Sequence, residues 1–246
     1  MSHSRIGFAL SLVLTLVFEL SCSSKPAKSR EEIAAQQAGF FGAIRKGDAK
    51  SVKAFIDNGA DVNAKDDYSG DTALILASNN PGYTEIVRML IDAKADVNAR
   101  GNGGQTALLW ASWDPIWTGN TRTAMVRMLI DAKADVNAND DAGFTALIRA
   151  SESNTNSVLT ITDTNGKAAV RKIASHREII RMLIDAKADV NAESKDGRTA
   201  LVVALYKRDA EIVRMLKEAG ADDVRAKQLM MRQAEIVRML KYAGAK

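Results

Sequence analysis

The sequence predicts an all-α solenoid, and three observations carry that prediction. The phrase RMLIDAKADVNA occurs three times unchanged, from Arg88, Arg127 and Arg181. A second phrase, TAL followed by aliphatic residues, begins at Thr72, Thr106, Thr145 and Thr199 and alternates with the first. The period is short: 34 residues from Thr72 to Thr106, and 33 from Arg181 to Arg214. Self-similarity at such a period marks an array of units that are each too small to bury a core, so their apolar faces must stack on neighbours.

The first 21 residues read as a signal peptide. Arg5 supplies a short positive region, and Ile6 to Phe18 form an uncharged, mostly apolar run of 13 residues. A spanning helix needs about 20 apolar residues, and Glu19 ends this run too early. The single cysteine of the chain, Cys22, stands where a cleavage site should fall and is followed by Ser23, Ser24, Lys25 and Pro26. This arrangement resembles a bacterial lipoprotein signal, in which such a cysteine becomes the acylated first residue. It departs from the usual pattern at Glu19, where Leu is expected. The resemblance implies lipidation at Cys22 and a membrane-anchored protein of the bacterial cell envelope, facing the periplasm or the cell surface. Residues 22–29 read as a polar tether.

Residues 30–246 read as one repeat domain of about four full repeats and two caps. Ser29 and Glu32 have capping-box spacing, and Ile33, Phe40, Phe41 and Ile44 give the face of an N-terminal cap helix. In YTEIVRMLIDA, Ile86, Leu90 and Ala93 fall on one helical face. Thr72 can cap the short helix that follows it. In DVNA, Asp and Asn can bond nearby backbone and shape the loop. Residues 225–246 read as a shortened, capping repeat. Two insertions interrupt the array, near 112–123 and 152–175. The second contains VLTIT, DTNG and KAAVRKI. Asn165-Gly166 is a two-residue turn signal, so a β-hairpin from Val158 to Ile173 is expected, with a disordered loop as the alternative.

These phrases resemble the ankyrin repeat, most clearly in GRTALVVALYKRDAEIVRMLKEAGAD from Gly197 to Asp222. The resemblance implies helix–turn–helix units with hairpin-like loops projecting sideways. The family's Pro is replaced by Ala73, Ala107, Ala146 and Ala200, and Ala is the best helix former. The Gly after the second helix is retained at Gly59, Gly220 and Gly244 but is Lys94, Lys133 and Lys187 in the three identical phrases. If that position is left-handed, each Lys costs roughly 1 kcal/mol. The column Arg88, Arg127, Arg181, Arg214 and Arg238 is expected to be a solvated outer face. Its neutralising acids are Asp92, Asp131, Asp185 and Glu218, each four residues on.

The composition argues against an enzyme. One Cys excludes a disulfide framework, and His3 and His176 cannot furnish a multi-histidine metal centre. RGNGGQ lacks the spacing and context of a phosphate loop. Neither cofactor nor metal is expected. A net charge of +4, drawn from 34 basic and 30 acidic residues, shows no nucleic-acid footprint. The resemblance implies a protein-binding module, using loop tips and the concave face of the first helices, in a monomeric chain.

The expected partner-binding residues at the loop tips are Asp66, Asp67 and Tyr68; Arg100 and Asn102; Asp140, Asp141 and Phe144; and Lys195, Asp196 and Arg198. Tyr68 and Phe144 are the expected anchors. Trp113 and Trp117, in the first insertion, either fill space between repeats or anchor a partner. Trp110 shares its position with Leu76 and Val203 and reads as core. The leading functional reading is an envelope-tethered scaffold that holds a protein partner. The alternatives are an inhibitor or immunity-type protein that neutralises a toxic enzyme in the periplasm, and a secreted host-directed effector.

Overall fold

The computed structural model describes residues 28–113, 120–153, 158–162, 168–172 and 175–244. The signal peptide, Cys22, Trp117 and the Asn165-Gly166 dipeptide lie outside the described residues. The chain divides after Gln36 into two units, and the second, Gln37–Lys246, holds the repeats. The helices are α1 (Arg30–Lys46), α2 (Ala49–Asp57), α3 (Ala73–Asn79), α4 (Thr84–Asp92), α5 (Ala107–Ser112) and α6 (Asn120–Asp131). They continue as α7 (Ala146–Glu152), α8 (Ser175–Asp185), α9 (Ala200–Lys207), α10 (Ala210–Glu218) and α11 (Asp223–Gly244). Strands β1 (Val158–Thr162) and β2 (Ala168–Lys172) pair antiparallel between α7 and α8.

The TAL phrase makes the short first helices because Thr is a ready cap. Thr72, Thr106, Thr145 and Thr199 have extended backbone, and each hydroxyl accepts the amide of the residue three on, at 3.2–3.4 Å. The capping box at the start of α1 also forms. The Ser29 amide donates to Glu32 at 2.8 Å, and the Glu32 amide donates to the Ser29 hydroxyl at 3.2 Å.

Two layers follow. First helices α3, α5, α7 and α9 pack in sequence, and second helices α2, α4, α6, α8 and α10 form the other layer. Between them runs one apolar core. The TAL leucines Leu74, Leu108, Leu147 and Leu201 alternate in it with Val52, Leu90, Leu129, Leu183 and Leu216 from the second helices. At the N-terminal end Phe40, Phe41 and Ile44 of α1 join this core, whereas Ile33 is exposed.

DVNA links successive units. The Asn63, Asn98, Asn137 and Asn191 side-chain oxygens accept the amides of Asp96, Asp135, Asp189 and Asp222 in the following unit, at 2.7–2.8 Å. Within each unit the Asp carboxylate accepts the amide of its own Asn at 2.9 Å. Asn98, Asn137 and Asn191 also donate, to the carbonyls of Lys133, Lys187 and Gly220. At the start of the array, Gln37 of α1 replaces the missing Asn: its amide group donates to the Asp61 carbonyl and accepts the Asp61 amide.

Lys94, Lys133 and Lys187 have φ of 66°, 69° and 70°, in register with Gly59 at 78° and Gly220 at 94°. The position is left-handed throughout, as the sequence predicts. Gly244 departs from this pattern, because it is the last residue of α11. The expected shortened repeat at the C-terminus is a single helix of 22 residues that docks on α9.

In the second insertion, β1 and β2 occur where a hairpin is expected. Their register pairs Thr162 with Ala168. The expected Asn165-Gly166 turn between them lies outside the described residues.

Asn137→Ala removes an acceptor and a donor between two units at about 1 kcal/mol each, so a loss of about 2 kcal/mol is expected from urea denaturation. Lys133→Gly relieves a left-handed side chain and is expected to gain about 0.5–1 kcal/mol in the same assay.

Candidate functional site

The first-helix layer carries a face whose composition changes from unit to unit. Four residues after each capping Thr stand Leu76, Trp110, Arg149 and Val203. Seven residues after it stand Asn79, Trp113, Glu152 and Tyr206. Positions three or four apart on a helix are neighbours, so the two columns run side by side. Trp110 packs on the core only in part, and Trp113 stacks beside it with ring centroids 5.6 Å apart.

Arginines and aromatics interleave across this face. The Arg149 guanidinium lies 4.0 Å from the centre of the Phe144 ring and 5.8 Å from that of Trp113. Phe144 also meets Arg198, at 5.5 Å. Arg149 also binds Asp140 at 2.8 Å and Glu152 at 3.2 Å. Arg198 binds Glu152 at 2.7 Å and Asp196 at 2.8 Å. Lys207 donates to the carbonyls of Glu152 and Ser153, so an ammonium covers the C-terminal end of α7. Burial pushes the Lys207 amine below its ordinary value, and the nearby Glu152 charge offsets only part of that.

Trp113 forms a wall shared by two cavities. One, about 140 Å³, lies against Leu109, Trp110, Asp140 and Arg149. The other, about 510 Å³, is floored by Val202, Val203 and Tyr206 and edged by Glu152, Arg198 and Lys207. Among the described residues no three His, Cys, Asp or Glu side chains gather as a metal would need. Among the same residues no helix is long and apolar enough to cross a membrane.

The loop tips sort into two kinds. Tyr68, 93% exposed, projects fully, and Asp67, Arg100, Asn102, Asp141, Lys195 and Asp196 are also exposed. Arg198 is half-buried by its stack on Phe144. Phe144 itself corrects the sequence reading: it is 8% exposed and lies under two guanidiniums, so it cannot project as an anchor. Asp66 and Asp140 are buried as well and serve their own turns. Asp140 accepts the amides of Ala142 and Phe144, at 3.0 and 2.9 Å. Asp66 accepts from Arg45 and from the Ser69 amide and hydroxyl. Burial pushes the Asp66 carboxyl up, but those donors outweigh it and hold the group below its ordinary value.

Backbone amides tie neighbouring tips together. The Asn102 amide donates to Asp71, the Asp141 amide to Gly103, and the Lys195 amide to Ala142, at 2.9–3.0 Å. The outer Arg column is less self-neutralised than its spacing predicts. Arg214 pairs with Glu218 at 3.1 Å, but Arg127 pairs with Glu178 of the next unit. Arg88 and Arg181 have no carboxylate in ion-pair reach among the described residues.

The family model for ankyrin repeats (3 copies) matches residues 40–140 and 154–227, well over half of the sequence. The chain belongs to the ankyrin-repeat family. Its array is similar to part of ankyrin repeat and SOCS box protein 6 from Homo sapiens, with 38% identity over 69 residues. The Mus musculus protein of that name is 36% identical over 69 residues. These matches take in 28% of this chain, which spans only 16% of the length of each relative. An ankyrin array is a protein–protein interaction module, and its partner is read by what the units display.

Phe144→Ala empties a buried site and is expected to cost about 3 kcal/mol or more. Tyr68→Ala touches an exposed ring and is expected to stay within about 0.5 kcal/mol of the parent. Paired denaturant titrations of the two variants check both values.

Proposed function

We propose that this chain is a scaffold tethered to a bacterial envelope membrane through an acylated Cys22, which holds a protein partner on its first-helix face. One observation carries the binding half of this reading. The columns Leu76–Val203 and Asn79–Tyr206 change between aliphatic, aromatic and charged residues while the phrase around them stays constant. Packing holds the neighbours of these positions to one residue type, and a surface freed from packing is where recognition specialises. Trp, Tyr and Arg, which gather here, are the common anchors of protein interfaces. Tyr68 and the exposed loop tips extend the same reading.

The tether rests on the leader and on the position of Cys22. Several acyl chains give stable anchoring where one gives marginal binding. In this reading the chain acts as a monomer with neither cofactor nor catalytic step, and nucleic acid is not its ligand.

The test combines labelling and capture. A palmitate analogue is expected to label the wild type and not Cys22→Ser. The mature protein is expected to capture one partner from envelope extract, identified by mass spectrometry, and Trp113→Ala with Tyr206→Ala is expected to lose it. Capture unchanged by that pair refutes the surface, and absence of label refutes the tether and favours a secreted effector. An enzyme partner silenced at one equivalent makes the chain an inhibitor or immunity-type protein.

A further inference from the structure

We propose that the groove between Trp113 and Tyr206 accepts an acidic segment of the partner, one that sets a carboxylate beside a large apolar side chain. This deepens the binding reading above and rests on it.

The groove measures about 510 Å³, within the roughly 300–1,000 Å³ of sites that hold a small ligand. Its floor is apolar: Val202 and Val203 are buried, and Tyr206 and Trp113 present ring surface. A Leu or Phe side chain fits such a floor by burying the rings' remaining faces.

Charge at the edge decides the rest. Among the described residues Glu152 is the one carboxylate lining the groove, and it is already held by Arg149 and Arg198. Two cations line the same groove. Arg198 sets Nη1 on Glu152 and Nε on Asp196. Lys207 gives two hydrogen bonds to backbone carbonyls, of Glu152 and Ser153. Neither Lys207 bond brings a negative charge to the ammonium. An arriving carboxylate therefore finds a lining with two cations against one carboxylate, and a charge-assisted bond is about twice as strong as a neutral one. A neutral segment gains no charge-assisted bond from either cation. A basic one faces two cations and a carboxylate whose charge is already matched.

The experiment uses the full chain and three labelled synthetic peptides. They share the same Leu and Phe positions and carry Glu, Gln or Lys at all others. Fluorescence anisotropy is expected to show the Glu peptide binding at least about tenfold tighter than the Gln peptide, with the Lys peptide weakest. Raising the salt to about 0.5 M is expected to erode that preference. Arg198→Gln and Tyr206→Ala are each expected to weaken the Glu peptide several-fold with an unchanged helical circular dichroism spectrum. Tyr206 is exposed, so its variant reports on the groove even if Arg198→Gln loosens the stack on Phe144. Equal binding of the Glu and Gln peptides overturns the proposal, as does Glu-peptide binding that neither substitution weakens. A Gln or Lys peptide that binds best and is lost in Tyr206→Ala overturns the acidic assignment while leaving the first-helix face as a binding surface. Absence of binding by all three peptides also overturns the assignment, and the capture experiment then judges the face separately.

Discussion

One contact holds this molecule in register: the side chain of an asparagine bonded to the backbone of the next unit. Hydrophobic burial drives stacking but is non-directional, so it cannot say how far one helix pair slides past another. The Asn63, Asn98, Asn137 and Asn191 bonds do say so, because each ties a side chain to a single amide of the next unit. The second bond of Asn98, Asn137 and Asn191 reaches the left-handed residue that ends the next unit's second helix. This explains why the chain keeps that backbone turn even with Lys in it. The strain at Lys133 and Lys187 presents a carbonyl where the asparagine needs it.

A frame so constrained frees other positions. The first-helix columns change from unit to unit, and there the chain places Trp110 and Trp113, then Arg149 and Glu152, then Val203 and Tyr206. Because each pair sits at the same height on successive helices, unlike residues become neighbours. The stack of Trp113, Arg149, Phe144 and Arg198 results from this. It gives the face a rigid aromatic-cation surface, whose two arginines are themselves fixed by Asp140, Glu152 and Asp196.

Much of the frame was legible because repetition averages out local ambiguity. Four TAL phrases name four capped helices, and three identical phrases name three second helices with their left-handed exits. What escaped was contact between units. The role of Gln37 has no signature, since it works only through the geometry of a helix pair that lacks its own TAL. Phe144 reads as an exposed tip residue by position, and its burial comes from Arg149 and Arg198, one on the next helix and the other on the next tip. The site was half legible. Trp110 could be set against Leu76 and Val203, but following that column to Arg149, and the adjacent one to Glu152 and Tyr206, would have outlined the face. Where α11 runs on as one helix, AEIVRMLK from Ala234 repeats the phrase from Ala210 word for word, so similarity alone could not separate a helix pair from a single rod.

The same bond that sets the register also sets the length. Asp222 accepts no successor: the residue two further on is Val224 where every earlier unit has Asn, and the Asp222 carboxylate takes the amide of Arg225 to start α11. At the other end Gln37 supplies from a helix what an earlier unit would have supplied from a loop. Every seam between them is the same socket. Units are therefore interchangeable parts, and the order of residues along the face is a text that duplication or reshuffling can rewrite without touching the grammar that holds it together.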